Sequence, residues 1–183
     1  GMTGSGTVIA TVPAGNVQDA AGNSNTNSTS TDNNVLYDFT APPVTINQAV
    51  AQADPTNTSP ITFEVLFSKS VTGFTGEDVT LAGTAGATTA VVSGSGTTYN
   101  VVVSGMISDG TVIASIPAGA ATDAVGNTNA ASTSTDNSVM YDTNGPTVTI
   151  NQAAGQPDPT GVSPINFTAV FSEPVTGFTG ADL

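Results

Sequence analysis

The side chains that could do chemistry in this chain are almost all oxygen donors. Fourteen Asp and Glu stand against one basic residue, Lys69, and the 183 residues include no His and no Cys. Ser and Thr are abundant, but a hydroxyl becomes a nucleophile only beside a base that can take its proton. No such base is visible, so no enzymatic role is expected. Cysteine-ligated metals and disulfides are excluded by the same count. Calcium is a different case, because it takes about six to eight oxygens from carboxylates, carbonyls and amides and needs neither imidazole nor thiolate. The segment Asp123-Ala124-Val125-Gly126-Asn127-Thr128-Asn129 presents Asp and Asn oxygens around a glycine that permits a sharp turn. Its counterpart is Asp19-Ala20-Ala21-Gly22-Asn23-Ser24-Asn25. Two readings stay open: the oxygens converge on a cation, or Asp caps a turn while Gly-Asn supplies left-handed backbone.

The elements that position these residues come in copies. Gly6-Thr7-Val8-Ile9-Ala10 returns as Gly110-Thr111-Val112-Ile113-Ala114, and Val44-Thr45-Ile46-Asn47-Gln48-Ala49 returns at 148–153. The offset is 104 throughout, without a gap, and residues 1–79 laid on 105–183 give 48 identities in 79 positions. A period this long is a domain with its own core, not a solenoid turn. The expected organisation is the C-terminal part of one repeat at 1–39, a complete repeat at 40–143, and the N-terminal part of the next at 144–183. The partial copies are expected to be a window cut from a longer array. Head and tail fragments joined between chains would lack unit positions 80–104, which argues against a strand-swapped polymer.

The repeat also sorts the candidate residues. Lys69 becomes Glu173, which removes a catalytic lysine or a lysine cross-link as a property of the repeat. The glycosylation patterns at Asn27, Asn57 and Asn166 have no match in the other copy and read as chance. Asp19/Asp123, Asp38/Asp142 and Asp54/Asp158 persist.

Within the complete repeat, Thr, Val and Ile dominate and Gly and Pro punctuate at short intervals, an all-β signature. Strands are expected at 44–49 (A), 60–67 (B), 78–82 (C), 87–92 (D), 97–104 (E), 111–116 (F) and up to 142 (G). Ser93-Gly94-Ser95-Gly96 is expected to turn tightly between D and E. Alternation directs Ile61, Phe63, Val65 and Phe67 inward, with Tyr99, Val101 and Val103 on one face of E and Val112, Ala114 and Ile116 on one face of F. Seven short strands with frequent turn signals predict a Greek-key β-sandwich of the immunoglobulin-like kind, in tandem. The Cys–Trp–Cys core of antibody domains is absent.

Phe67-Ser68 with Val71-Thr72-Gly73-Phe74, Asp78-Val79-Thr80, Ser95-Gly96-Thr97-Thr98-Tyr99, Ile116-Pro117-Ala118-Gly119-Ala120 and Asp123-Ala124-Val125-Gly126-Asn127 follow one pattern. It resembles the bacterial Ig-like repeats of large secreted and surface-anchored proteins, including giant adhesins. The resemblance implies stalks, spacers, filaments or adhesive arrays outside the cell, and for some such repeats calcium at domain junctions.

Sandwich topology then groups the acids. Strand A begins at the end that carries the B–C and F–G loops, so Asp38 is expected near Asp78, Asp123 and Asn127. Strand G finishes at the other end, so Asp142 is expected near Asp54 and Asp109. Carboxylates gathered without basic partners repel unless a cation neutralises them, and calcium at these junctions is the expected cofactor. The net charge of -13 speaks against nucleic acid and anionic membrane surfaces, and no apolar run is long enough to span a bilayer. Expected partners are neighbouring repeats of the same chain, self-association, and a cell-surface or glycan ligand. Phe74 and Tyr99 are the few aromatic candidates for sugar stacking.

Overall fold

The computed structural model describes residues 1–183 and falls into two compact units, Gly1–Tyr141 and Asp142–Leu183. It is all β apart from two single-turn 3-10 helices. In the first unit, β1 (Gly6–Ile9) pairs antiparallel with β2 (Asn34–Tyr37). Two larger sheets follow within residues 44–141. One sheet runs β3 (Val44–Gln48), β4 (Ile61–Thr72) and β6 (Thr89–Ser104), with the short β8 (Thr122–Asp123) against the end of β4. The other runs β5 (Thr80–Ala82), β7 (Gly110–Ser115) and β9 (Ser138–Tyr141). The second unit holds the antiparallel pair β10 (Val148–Gln152) and β11 (Phe167–Phe171).

Alternation makes the sandwich. Ile61, Phe63, Val65 and Phe67 on β4 are buried, and so are Val44 and Ile46 on β3 and Tyr99, Val101 and Val103 on β6. Val112, Ala114 and Val139 from the other sheet complete a single core. Successive strand residues face opposite ways, so these positions reach the interior while Glu64 and Leu66 stay outside. Phe67, Phe74 and Tyr99 meet edge to face, with centroids 5.3–5.8 Å apart. The Tyr99 hydroxyl donates to the Val71 carbonyl at 3.0 Å, which satisfies its one polar atom inside the core. Both candidate sugar platforms, Phe74 and Tyr99, are thus core residues.

Two local expectations need correction. Ser93-Gly94-Ser95-Gly96 does not turn the chain back, because β6 runs unbroken through it. Gly94 and Gly96 take φ of 114° and 71°, and the β4–β6 register shifts between Leu66 and Val71. The glycines supply left-handed backbone for an irregularity within a strand, a use that the same residues serve as readily as a hairpin. Between the strands expected at 111–116 and up to 142 lies one further, unexpected strand, β8, which pairs with Val71 and Thr72.

Gly83 shows how tightly β5 sits on β7. Its φ is 102°, and a Cβ there would lie 2.1 Å from the Thr111 carbonyl oxygen. Gly83→Ala should therefore destabilise the sandwich by about 2 kcal/mol or more, combining backbone strain with a backbone clash. A thermal melt within a degree of wild type would show that the close approach relaxes without cost.

Candidate functional site at the entry to the complete unit

The loop after β8 is built by its own side chains. Asp123 Oδ1 accepts from the backbone N–H of Val125 (3.1 Å) and Asn127 (2.9 Å), and Oδ2 accepts from Asn127 Nδ2 (3.0 Å). Gly126 takes φ of 91° to close the turn. Asp19 makes the matching bonds with Ala21, Asn23 and Asn23 Nδ2, each at 2.9 Å, and Gly22 takes φ of 90°. The turn-capping geometry is therefore realised in both copies, and one carboxylate oxygen is committed to backbone donors. Asn129 clips the loop base. It is 2% exposed, accepts from Ala121 N–H at 2.8 Å, and donates to the Pro117 and Ala130 carbonyls at 2.9 and 2.7 Å.

Against this loop lies the segment that enters the unit. Lys69 Nζ donates to Asp38 Oδ2 at 2.6 Å, to the Thr40 carbonyl at 2.7 Å and to Asp123 Oδ2 at 3.3 Å. An ammonium has three protons, and each has an acceptor here. Asn127 Nδ2 adds a bond to the Asp38 carbonyl at 3.3 Å. Ser5 Oγ donates to Asp38 Oδ1 at 3.2 Å and accepts from Phe39 N–H at 3.1 Å. The side chains of Lys69 and Asp38 keep 30% and 25% of their surface, while Asp123 keeps 4%.

The ionisation equilibria follow this geometry. The Lys69 hydrogen bond, helped by Thr40 N–H, holds the Asp38 carboxyl at about 2, below the ordinary 3.8. Burial pushes Asp123 upward, but the bonds from Asn127, Lys69 and Val125 outweigh it and leave the group below its usual value. The Asp38 bond in turn raises Lys69 above 10.5. A carboxylate depressed by folding contributes fully above its unfolded pKa and loses that contribution as pH falls through the folded value. A raised ammonium contributes fully below its unfolded pKa and loses it as pH rises past the folded one. The cluster should therefore hold from about pH 4 to about pH 10, and open on acidification toward pH 2. A carbon-13 titration should find Asp38 near 2 in wild type and back toward 3.8 in Lys69→Met. A midpoint near 3.8 in both would show that the ion pair is not formed in solution.

Of the expected acidic groups, Asp38, Asp123 and Asn127 come together, with Lys69 between the two carboxylates. Asp78 is used elsewhere: its Oδ2 accepts from Thr75 N–H and Thr75 Oγ1, both at 2.8 Å, capping the first 3-10 turn. At the other end of the sandwich, Asp54 Oδ1 accepts from Met140 N–H on β9 at 2.8 Å. Asp109 precedes Gly110, which pairs with Tyr141 at the end of β9. In the second unit, Asp142 Oδ1 accepts from Asn144 N–H at 3.0 Å. Nowhere do three or more carboxylates converge so as to hold a metal ion. At the Asp38 junction Lys69 offsets part of the charge of the two carboxylates.

Lys69 is not a feature of every repeat, since Glu173 stands at its position one period later, yet it is central to this site. The pattern of β4 carried a signal for it. Ile61, Phe63, Val65, Phe67 and Val71 all occupy the inward phase, and Lys69 falls in that phase. A lone ammonium on an apolar face, in a chain with no other basic residue, needs an acidic partner nearby.

No helix of the structure is long and apolar enough to cross a membrane. Comparison with curated proteins gives no significant match, and comparison with solved structures gives none either. The family model described as "Bacterial Ig-like domain" matches residues 38–140, more than half of the chain. That span begins at Asp38 and ends in β9, so it takes in both sheets and the junction residue that Lys69 holds. The shared core, the two antiparallel sheets and this match agree, and the chain belongs to the bacterial Ig-like domain family.

Proposed function

We propose that this chain is a stalk or spacer segment of a bacterial surface protein, built of tandem Greek-key sandwiches outside the cell, and that it does no catalysis. The observation that carries the reading is the gapless 104-residue repeat whose complete copy closes a core of its own. Equal, self-contained units extend reach, whereas recognition of one ligand needs only a few. Neighbouring repeats are the partners of such a unit. Arrays of two, four and six copies should lengthen linearly in small-angle scattering, and a compact, length-independent particle would overturn the reading. The alternative, direct recognition of a glycan, loses its aromatic platforms to the core, since Phe74 and Tyr99 are buried. Reproducible binding of one isolated unit on a glycan array would restore it.

Calcium belongs to this proposal in a restricted form. Where Lys69 stands between Asp38 and Asp123, it offsets half of their charge and takes up the oxygens that a cation would use. Where Glu173 takes the place of Lys69 one period later, no ammonium offsets the acids and the balance is left to solvent ions. The wild-type melting temperature should then be indifferent to a chelator, while Lys69→Glu should become calcium-dependent. A Lys69→Glu chain that melts alike in calcium and in chelator removes calcium from the reading.

A further inference from the structure

Asn144-Gly145 is the one Asn-Gly pair in the chain. It lies between β9 and β10, in no strand, and both residues are exposed. An asparagine carries a latent reaction, in which the backbone nitrogen of the next residue attacks the side-chain amide and ammonia leaves. In a folded chain two things hold this back: a Cβ on the attacking residue that crowds the approach, and a hydrogen bond that occupies its N–H. Neither acts at this pair, because Gly145 has no Cβ and its N–H makes no hydrogen bond. Elsewhere the nitrogen after an asparagine is committed. Val17 N–H, after Asn16, donates to Asn25 Oδ1 at 3.0 Å, and Thr58 N–H, after Asn57, to Thr56 Oγ1 at 3.2 Å. Ser28 N–H, after Asn27, donates to the Val12 carbonyl at 2.9 Å, and Ala130 N–H, after Asn129, to the Pro42 carbonyl at 3.2 Å. The Asn23 and Asn127 amides are themselves held by Asp19 and Asp123. Asn144 has bonds of its own, among them its N–H on Asp142 Oδ1 at 3.0 Å, but at an exposed site such bonds exchange with water.

We propose that Asn144 is a site of spontaneous modification, converted to aspartate and isoaspartate through attack by the Gly145 nitrogen. The backbone nitrogen gives its proton to a solvent base and bonds to Asn144 Cγ. The Cγ–Nδ2 bond breaks, and the amide leaves as ammonia after taking a proton from solvent. Water then opens the five-membered imide. Breaking the new Cγ–N bond yields aspartate, and breaking the original backbone C–N bond yields isoaspartate. One water is consumed and one ammonia released, with no change of oxidation state. Either product puts a carboxylate two residues from Asp142 in place of a neutral amide, and isoaspartate also adds a methylene to the main chain of the connecting segment. Thr40-Ala41 stands at the matching place one period earlier, so the reaction belongs to this segment and not to the repeat. It is independent of the stalk reading.

The full chain would be incubated in warm, mildly alkaline buffer, with a synthetic peptide of residues 142–147 in the same tube as a reference. Intact-protein mass spectrometry with fragmentation reads the exchange of amide for carboxyl and places it in the sequence. A methyl-acceptor assay with isoaspartyl methyltransferase reads the isoaspartate share. Asn144 should convert first among the asparagines of the chain, while the reference peptide converts beside it, and the rate should rise with pH because the attacking nitrogen must lose its proton. Gly145→Ala should lose most of the conversion. A Cβ at that position meets nothing within 4 Å, so this variant keeps the fold and changes only the attacking residue. Three results overturn the proposal: Asn144 intact when the peptide has converted, another asparagine of the folded chain converting ahead of it, or equal conversion at 144 in Gly145→Ala.

Discussion

Phe63→Ala should lower the unfolding free energy of the complete sandwich by about 3–5 kcal/mol, while Phe167→Ala, one period later, should lower it by less than about 1 kcal/mol. The two residues are equivalent in sequence and in pairing, since Phe63 faces Gln48 and Phe167 faces Gln152. Their surroundings differ. Phe63 has no exposed surface, and Phe167 keeps 61%. Truncating a buried phenylalanine loses its transfer free energy and leaves a cavity that close-packed neighbours fill only in part. Truncating an exposed one removes little that was shielded from water. Urea unfolding followed by the near-ultraviolet dichroism of the buried Tyr99 reads the complete unit. Equal losses in the two variants would mean that Phe167 is packed in solution against a surface that the structure does not show.

Asn129→Ala should cost about 3 kcal/mol, and Asn25→Ala well under that. Each asparagine makes the same three bonds. Asn25 accepts from Val17 N–H and donates to the Pro13 and Thr26 carbonyls, as Asn129 does with Ala121, Pro117 and Ala130. The difference lies in what replaces the lost partner. Around Asn25 the freed groups meet water. Around the buried Asn129, a donor and two acceptors are left unpaired within the loop base, and an unmade buried bond costs more than a made one contributes. Thermal melts of the two variants test this, and an Asn129→Ala melt matching that of Asn25→Ala would show that water reaches the loop base.

How much of this was legible in the residues depends on the range of the forces involved. Strand phase was legible: Ile61, Phe63, Val65 and Phe67 were assigned inward by alternation and all are buried. The Asp123 turn was legible as one of two readings, because a short polar side chain two to four residues from its donors acts locally. The grouping of Asp38 with Asp123 and Asn127 followed from topology. The course of β6 through Ser93–Gly96 was not legible. Glycine permits left-handed backbone in a turn and in a strand irregularity alike, and only the pairing with β4 selects between them.

The sequence copies on either side of the sandwich separate what the chain determines alone from what its fold decides. β1–β2 keeps the register of β7–β9, with Gly6 on Tyr37 as Gly110 is on Tyr141, and β10–β11 keeps the register of β3–β4. The Asp19 and Asn25 bonds repeat those of Asp123 and Asn129. Pairing, turns and caps are therefore written in the residues, because their partners lie close in sequence or in one ladder. Burial is not: Val8 and Val35 are 45% and 68% exposed where Val112 and Val139 are fully buried. Nor is the role of Lys69, whose partners stand 31 and 54 positions away. A core and an ion pair of that reach exist only once both sheets have closed, since apolar burial and charge compensation act between surfaces that the fold brings together.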